Sequence, residues 1–152
     1  MPLKAKGSYQ WLQILTVLLI VGGSLVFLIT AKTKSLDKQS LKIALIELRS
    51  QAAQGKLLAE AALDGRTTLT YFGGQLQWLQ QKADTNRKEL TATKSQPGLE
   101  NSISKAREVA ERVHENLAAL SVSYGDRGKL DAIGQTLHEL VKEAADLEAT
   151  LM

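Results

Sequence analysis

The chain has 152 residues, no cysteine, two prolines and 5% aromatic residues, with a formal net charge of +3. The missing cysteines exclude a disulfide framework and thiolate metal ligation without choosing a compartment. A chain of this length, rich in Leu, Ala, Gln, Glu and Lys, has room for one helical domain with a modest core and one further element.

The charge is unevenly spread. Lys4, Lys6, Lys32, Lys34, Lys38 and Lys42 flank one apolar stretch and are offset there only by Asp37, whereas from Ile43 onward 13 Lys/Arg stand against 15 Asp/Glu. The basic character therefore belongs to a membrane surface, where each cation near anionic headgroups contributes about 1 kcal/mol. A nucleic-acid interface needs cations clustered in the globular part, so no nucleic-acid partner is expected.

Residues 1–8 form a short basic tail. Tyr9 to Ala31 follows as the predicted transmembrane helix: no charge occurs between Gly7 and Ala31, and WLQILTVLLIVGGSLVFLIT is almost wholly apolar. About 20 residues rising 1.5 Å each cross a hydrocarbon core of about 30 Å. Tyr9 and Trp11 stand where an interfacial aromatic belt would, and Lys32 and Lys34 close the other end. A cleaved signal peptide has a shorter apolar region, about 7–15 residues, and Ile29-Thr30-Ala31 is a poor cleavage site, so a retained single-pass anchor is expected. Gly22 and Gly23, followed by Ser24, allow another membrane helix to approach closely. The lysines, two before the span and four after it, taken alone place the remainder of the chain in the cytoplasm. A short tail before a lone span argues the reverse, and the extracytoplasmic side is the expectation.

Residues 32–152 carry four apolar seams with alternating steps of three and four, predicting helices over about 35–64, 67–95, 98–124 and 128–151. The first seam is Leu41, Leu45, Leu48, Ala52, Gly55, Ala59, Ala62; the second is Leu69, Phe72, Leu76, Leu79, Ala83, Asn86, Leu90. The third is Leu99, Ile103, Ala106, Ala110, Val113, Leu117, Leu120, Tyr124; the fourth is Leu130, Ile133, Leu137, Leu140, Ala144, Leu147, Leu151. Spacing of this kind keeps one stripe against partner helices crossing at about 20°. The breaks are short. Gly65 suits a left-handed helix end with Thr67 as the next N-cap, Pro97 stops the second helix at Gln96, and Gly125-Asp126 repeats the stop-and-cap logic. Short connections make sequential helices antiparallel, so the expected fold is all-α: an N-terminal transmembrane helix followed by an up-down-up-down four-helix bundle. The Gly65 and Gly125 loops then share the distal end, and the Pro97 loop and Met152 return to the membrane side.

Local features interrupt the pattern. Gly73-Gly74 falls in the second helix, as a late start, a close contact, a hinge or a pocket wall. Tyr71 and Trp78, seven residues apart and off the seam, read as a broader core face or as a partner-docking site. Asn86, at a seam position, reads as a register device.

Chemistry-bearing motifs are scarce. Glu111-x-x-His114 has di-iron spacing, but the matching position before His138 is Gln135, so no metal site and no cofactor are expected. Phosphate loops, nucleophile elbows and cysteine nucleophiles do not occur, and carboxylates pair along helix surfaces as in Lys56–Glu60 and Asp84–Lys88. No enzyme is expected.

The layout of basic tail, span and four heptad-patterned helices, with the Leu58-x-x-Ala61-x-x-Asp64-Gly65-Arg66-Thr67 helix end, resembles the extracytoplasmic four-helix-bundle sensor domains of bacterial chemoreceptors and sensor kinases. Those proteins continue into a second span and a cytoplasmic coiled coil, whereas this sequence ends at Leu151-Met152. The resemblance implies an inner-membrane location with the bundle outside, and a small-molecule ligand with no gripping residue that can be carried over. The primary expectation is a non-enzymatic accessory or scaffold subunit of a membrane protein complex, or a homo-oligomer. The alternative is a ligand-sensing module of chemoreceptor-like type.

Overall fold

The computed structural model describes residues 36–151, and within them four α-helices pack against one another with no strand. They are α1 (Lys38–Leu63), α2 (Leu69–Ala92), α3 (Glu100–Ser121) and α4 (Arg127–Thr150). The transmembrane helix expected over Tyr9–Ala31 lies outside the described residues. Among the described residues no helix is long and apolar enough to cross a membrane.

Three of the four helices start where a side chain satisfies an otherwise unpaired first-turn amide, whereas α3 begins after Leu99 without a side-chain cap. The Asp37 carboxylate accepts from Ser40 N–H at 2.8 Å, and the Asp126 carboxylate from Lys129 N–H at 3.1 Å. The cap of α2 is Thr68, whose Oγ1 accepts from Tyr71 N–H at 3.3 Å, rather than the expected Thr67. The end of α1 is closed by two crossed bonds, Arg66 N–H to Ala61 C=O at 2.8 Å and Gly65 N–H to Ala62 C=O at 3.2 Å. This geometry needs a left-handed residue, and Gly65 supplies it at φ 67°.

The seams become the core. Leu41, Leu45, Leu48, Ala52 and Ala59 of α1 are buried with Phe72, Leu76, Leu79, Ala83 and Leu90 of α2. Ile103 through Leu120 of α3 and Leu130, Leu137, Leu140 and Ala144 of α4 complete it. Burying each large aliphatic side chain contributes about 1.5–3 kcal/mol before the entropy of ordering it is set against it. The seams fail only near helix ends: Leu69 is exposed, and Tyr124 lies partly open against Phe72, ring centroids 5.0 Å apart.

Cross-helix bonds fix the antiparallel order. Arg49 in the middle of α1 bonds Glu148 near the end of α4 at 2.8 Å, and the Gln80 amide of α2 donates to Leu117 C=O of α3 at 2.9 Å. Arg112 of α3 pairs with Glu143 of α4 at 2.6 Å. At one end Tyr124 Oη donates to Thr67 C=O and Arg127 to Leu63 C=O, both at 3.0 Å, so the Gly65 and Gly125 loops sit together. At the other, Leu36 N–H donates to Lys94 C=O at 3.0 Å.

The four interfaces are not equivalent. α1 lies much closer to α4 than to α2. The reason is side-chain size: a Cβ on Gly134 would be only 3.8 Å from that of Ala59, and one on Gly55 would be 2.7 Å from Leu117 Cδ2 and 3.1 Å from Leu137 Cδ1. Small residues let backbones approach, and α1 is drawn toward α4 and α3. α1 and α2 pack less closely, much as α3 and α4 do.

Candidate partner-docking face

On the α1–α2 flank the structure places the two aromatic residues singled out above. Tyr71 and Trp78 are 60% and 48% exposed, so they are not a wider core face. Two helical turns separate them, which puts both on one side of α2. Leu57 of α1, 61% exposed, stands on the same flank and shares a cavity of about 220 Å³ with Tyr71, Leu58, Ala61 and Leu79. A second cavity of about 360 Å³ lies between Trp78, Lys82 and Asn86 of α2 and Glu47, Gln51 and Gln54 of α1. Gln54 borders both, so the two form successive compartments of one groove.

The polar compartment is electrostatically unfinished. Gln51 and Asn86 are each only 6% exposed, yet the Gln51 Oε1 acceptor and the Asn86 Nδ2 donor have no hydrogen-bond partner. A buried polar atom without a partner costs about 1–3 kcal/mol, so such pairs ask for an explanation. Asn86 was expected to fix register, but no bond across the bundle is made by its donor. Lys82 Nζ lies 5.9 Å from the Trp78 ring centroid, within reach of a cation–π contact. Glu47 and Glu89 line the same compartment without an ion pair inside the described bundle.

Gly73-Gly74 is neither a late start nor a close contact. α2 begins earlier, at Leu69, and runs unbroken through both glycines, where an added Cβ would meet nothing within 4 Å.

The residues with metal-like spacing do not converge among the described residues. Glu111 reaches Arg87 at 3.3 Å, His138 lies in a furrow between α1 and α4 beside Lys56 and Glu60, and no three metal-capable side chains come together. Lys56 and Glu60 pair with each other at 3.0 Å, which leaves that furrow a solvated charged surface. On α2 the Asp84 carboxyl is held below its ordinary range by hydrogen bonds from Lys88 and then Arg87, and Arg87 is shifted upward by Asp84 and Glu111. These are surface networks of the ordinary structural kind.

Gln51 escaped sequence reading because the seam was assigned to Leu48 and Ala52, and a glutamine between them scores as surface. Its position, three residues after Leu48 and four before Gly55, was the available signal. The anchor residues Tyr9, Trp11, Gly22, Gly23, Lys32 and Lys34 lie outside the described residues. No family model matches the chain, and no curated protein or solved structure is significantly similar to it.

Proposed function

We propose that the protein is a non-enzymatic, membrane-anchored helical-bundle subunit that binds a larger membrane protein complex through its α1–α2 flank. The observation that carries this reading is the placement of Tyr71, Trp78 and Leu57, all large and all open to solvent, around one groove. Aromatic residues dominate the energetics of protein interfaces, and clustered exposure of apolar groups marks binding faces. The apolar stretch over residues 9–31 and its flanking lysines support the membrane location, so the partner is sought in the same membrane.

Purification of the full chain in mild detergent tests the proposal. A stoichiometric larger complex is expected, and replacing both Tyr71 and Trp78 with Ala should weaken capture at least several-fold while the melting temperature stays within a few degrees. A lone dimer whose melting temperature rises with a metabolite would instead favour a ligand-sensing role. Undiminished capture by the double variant would remove this flank from the interface.

A further inference from the structure

The groove between α1 and α2 carries more information than its aromatic rim. Its order along the bundle, from the end near Leu36 toward the Gly65 loop, is acidic (Glu47 and Glu89), amide (Gln51 and Asn86), aromatic (Trp78) and apolar (Leu57, Leu58 and Tyr71). From Glu47 to Ala61 the floor spans about 21 Å at 1.5 Å per residue, the length of four helical turns. Outward positions on α2 from Tyr71 through Gln75, Trp78, Lys82 and Thr85 to Glu89 repeat in steps of four and three. That is the spacing of a seam able to receive another helix. It is a second seam, on the side of α2 that the core does not use.

Resting on the docking role proposed above, we infer that the occupant of this groove is a single amphipathic α-helix of the partner, about 15 residues long, bearing an Asn or Gln side chain that pairs with Gln51 Oε1 and Asn86 Nδ2. A carboxamide offers a donor to the glutamine oxygen and an acceptor to the asparagine nitrogen on two separate atoms, with a reach that the single oxygen of a Ser or Thr hydroxyl lacks. Two unpartnered groups of opposite kind, each more than nine-tenths buried beside one cavity, are what such an insertion would satisfy. The unpaired Glu47 and Glu89 select a Lys or Arg on that helix about one turn from the amide. On the amide's other side, apolar residues at steps of three or four cover Trp78, then Tyr71 and Leu57. A helix lying in a groove with anchors at such spacing is a recurrent recognition mode.

Two experiments on the full chain in detergent decide the matter. In the first, Gln51→Leu and Asn86→Leu are combined. Removing two unsatisfied buried polar groups should leave the melting temperature unchanged or raise it, while capture of the partner falls at least tenfold. A fall in both would make the pair a structural element of the bundle, and capture at full strength would make it idle; either result overturns the inference. If capture survives this variant but is lost on replacing Tyr71 and Trp78 with Ala, only the amide contact is wrong and the docking role stands. If the unaltered chain captures nothing, the docking role and the inference fall together. In the second experiment a photo-crosslinking residue replaces Gln54, which borders both compartments, and the cross-linked peptide is sequenced. A helical segment with a basic residue, an amide about four positions on and apolar residues beyond supports the proposal. A cross-link to a second copy of this chain, or to a segment lacking the amide, overturns it.

Discussion

Glycine does opposite things at two places in this bundle, and the difference is space. At Gly55 an added methyl would stand 2.7 Å from Leu117 Cδ2, and Leu117 is fully buried. Ala gains about 1 kcal/mol of helix propensity there, while overpacking a core costs about 1–3 kcal/mol. Gly55→Ala should therefore lose about 1 kcal/mol in chemical denaturation. Gly73→Ala and Gly74→Ala meet nothing within 4 Å and should each gain about 0.5–1 kcal/mol in the same assay. Asp126 gives a residue-level test by pH. Its carboxyl is held below its ordinary range, first by the Lys129 backbone N–H and then by the Lys129 side chain. A carboxyl lowered in the folded state stabilises fully above its unfolded pKa of about 3.9, and that contribution is lost as pH falls through the folded value. The Asp126→Asn variant keeps a capping oxygen without a titrating charge. Its melting temperature should lie below that of the unaltered protein at neutral pH, and the gap should close as the pH drops below about 4.

At the scale of elements, what the sequence could disclose was set by the reach of local periodicity. The seams run through helix interiors, where a residue every third or fourth position must face the core, and Leu41, Leu76, Val113 and Leu140 are buried accordingly. Leu69 and Tyr124 continue the spacing into the first turn of one helix and the loop after another, where the chain is already leaving the core, and both are open. Tyr71 and Trp78 could not be settled by spacing, because a flank position is core or surface depending on how far the next helix lies. That distance follows from the Gly and Ala residues joining α1 to α4, a relation between segments far apart in the chain. Arg107 is a further case. From α3 its guanidinium donates to Leu90 C=O at 2.8 Å and to Thr93 C=O at 2.9 Å, closing the end of α2. A cation at a helix C-terminus satisfies free carbonyls and meets the negative end of the dipole. Arg107→Ala should cost about 2 kcal/mol, the scale of a charged hydrogen-bond site. Arg107→Lys should recover less than half of it, because an ammonium lacks the planar fork that bridges two carbonyls. Hydrogen exchange would show the loss concentrated in the last turns of α2.

For the whole molecule, the described bundle has two distinct ends, and one of them offers a site for a topology probe. The Gly65 and Gly125 loops are tied together at one end, and Leu36, where the chain arrives from residues 1–35, is tied to Lys94 at the other. α1 alone separates the two ends by about 39 Å of helix. A probe on the Gly65 loop therefore stands at the end of the bundle opposite Leu36. Gly65 itself is a poor choice for a cysteine, since its φ of 67° strains any side chain. Arg66 is better: it is exposed, and its bond to Asp64 at 2.6 Å is a surface pair of small worth. The chain has no native cysteine, so Arg66→Cys carries the sole thiol. With the bundle on the outer side of the membrane, a membrane-impermeant maleimide should label it in intact cells to the same extent as after detergent. Labelling only after permeabilisation would place the bundle in the cytoplasm, as the four lysines following the apolar stretch favour.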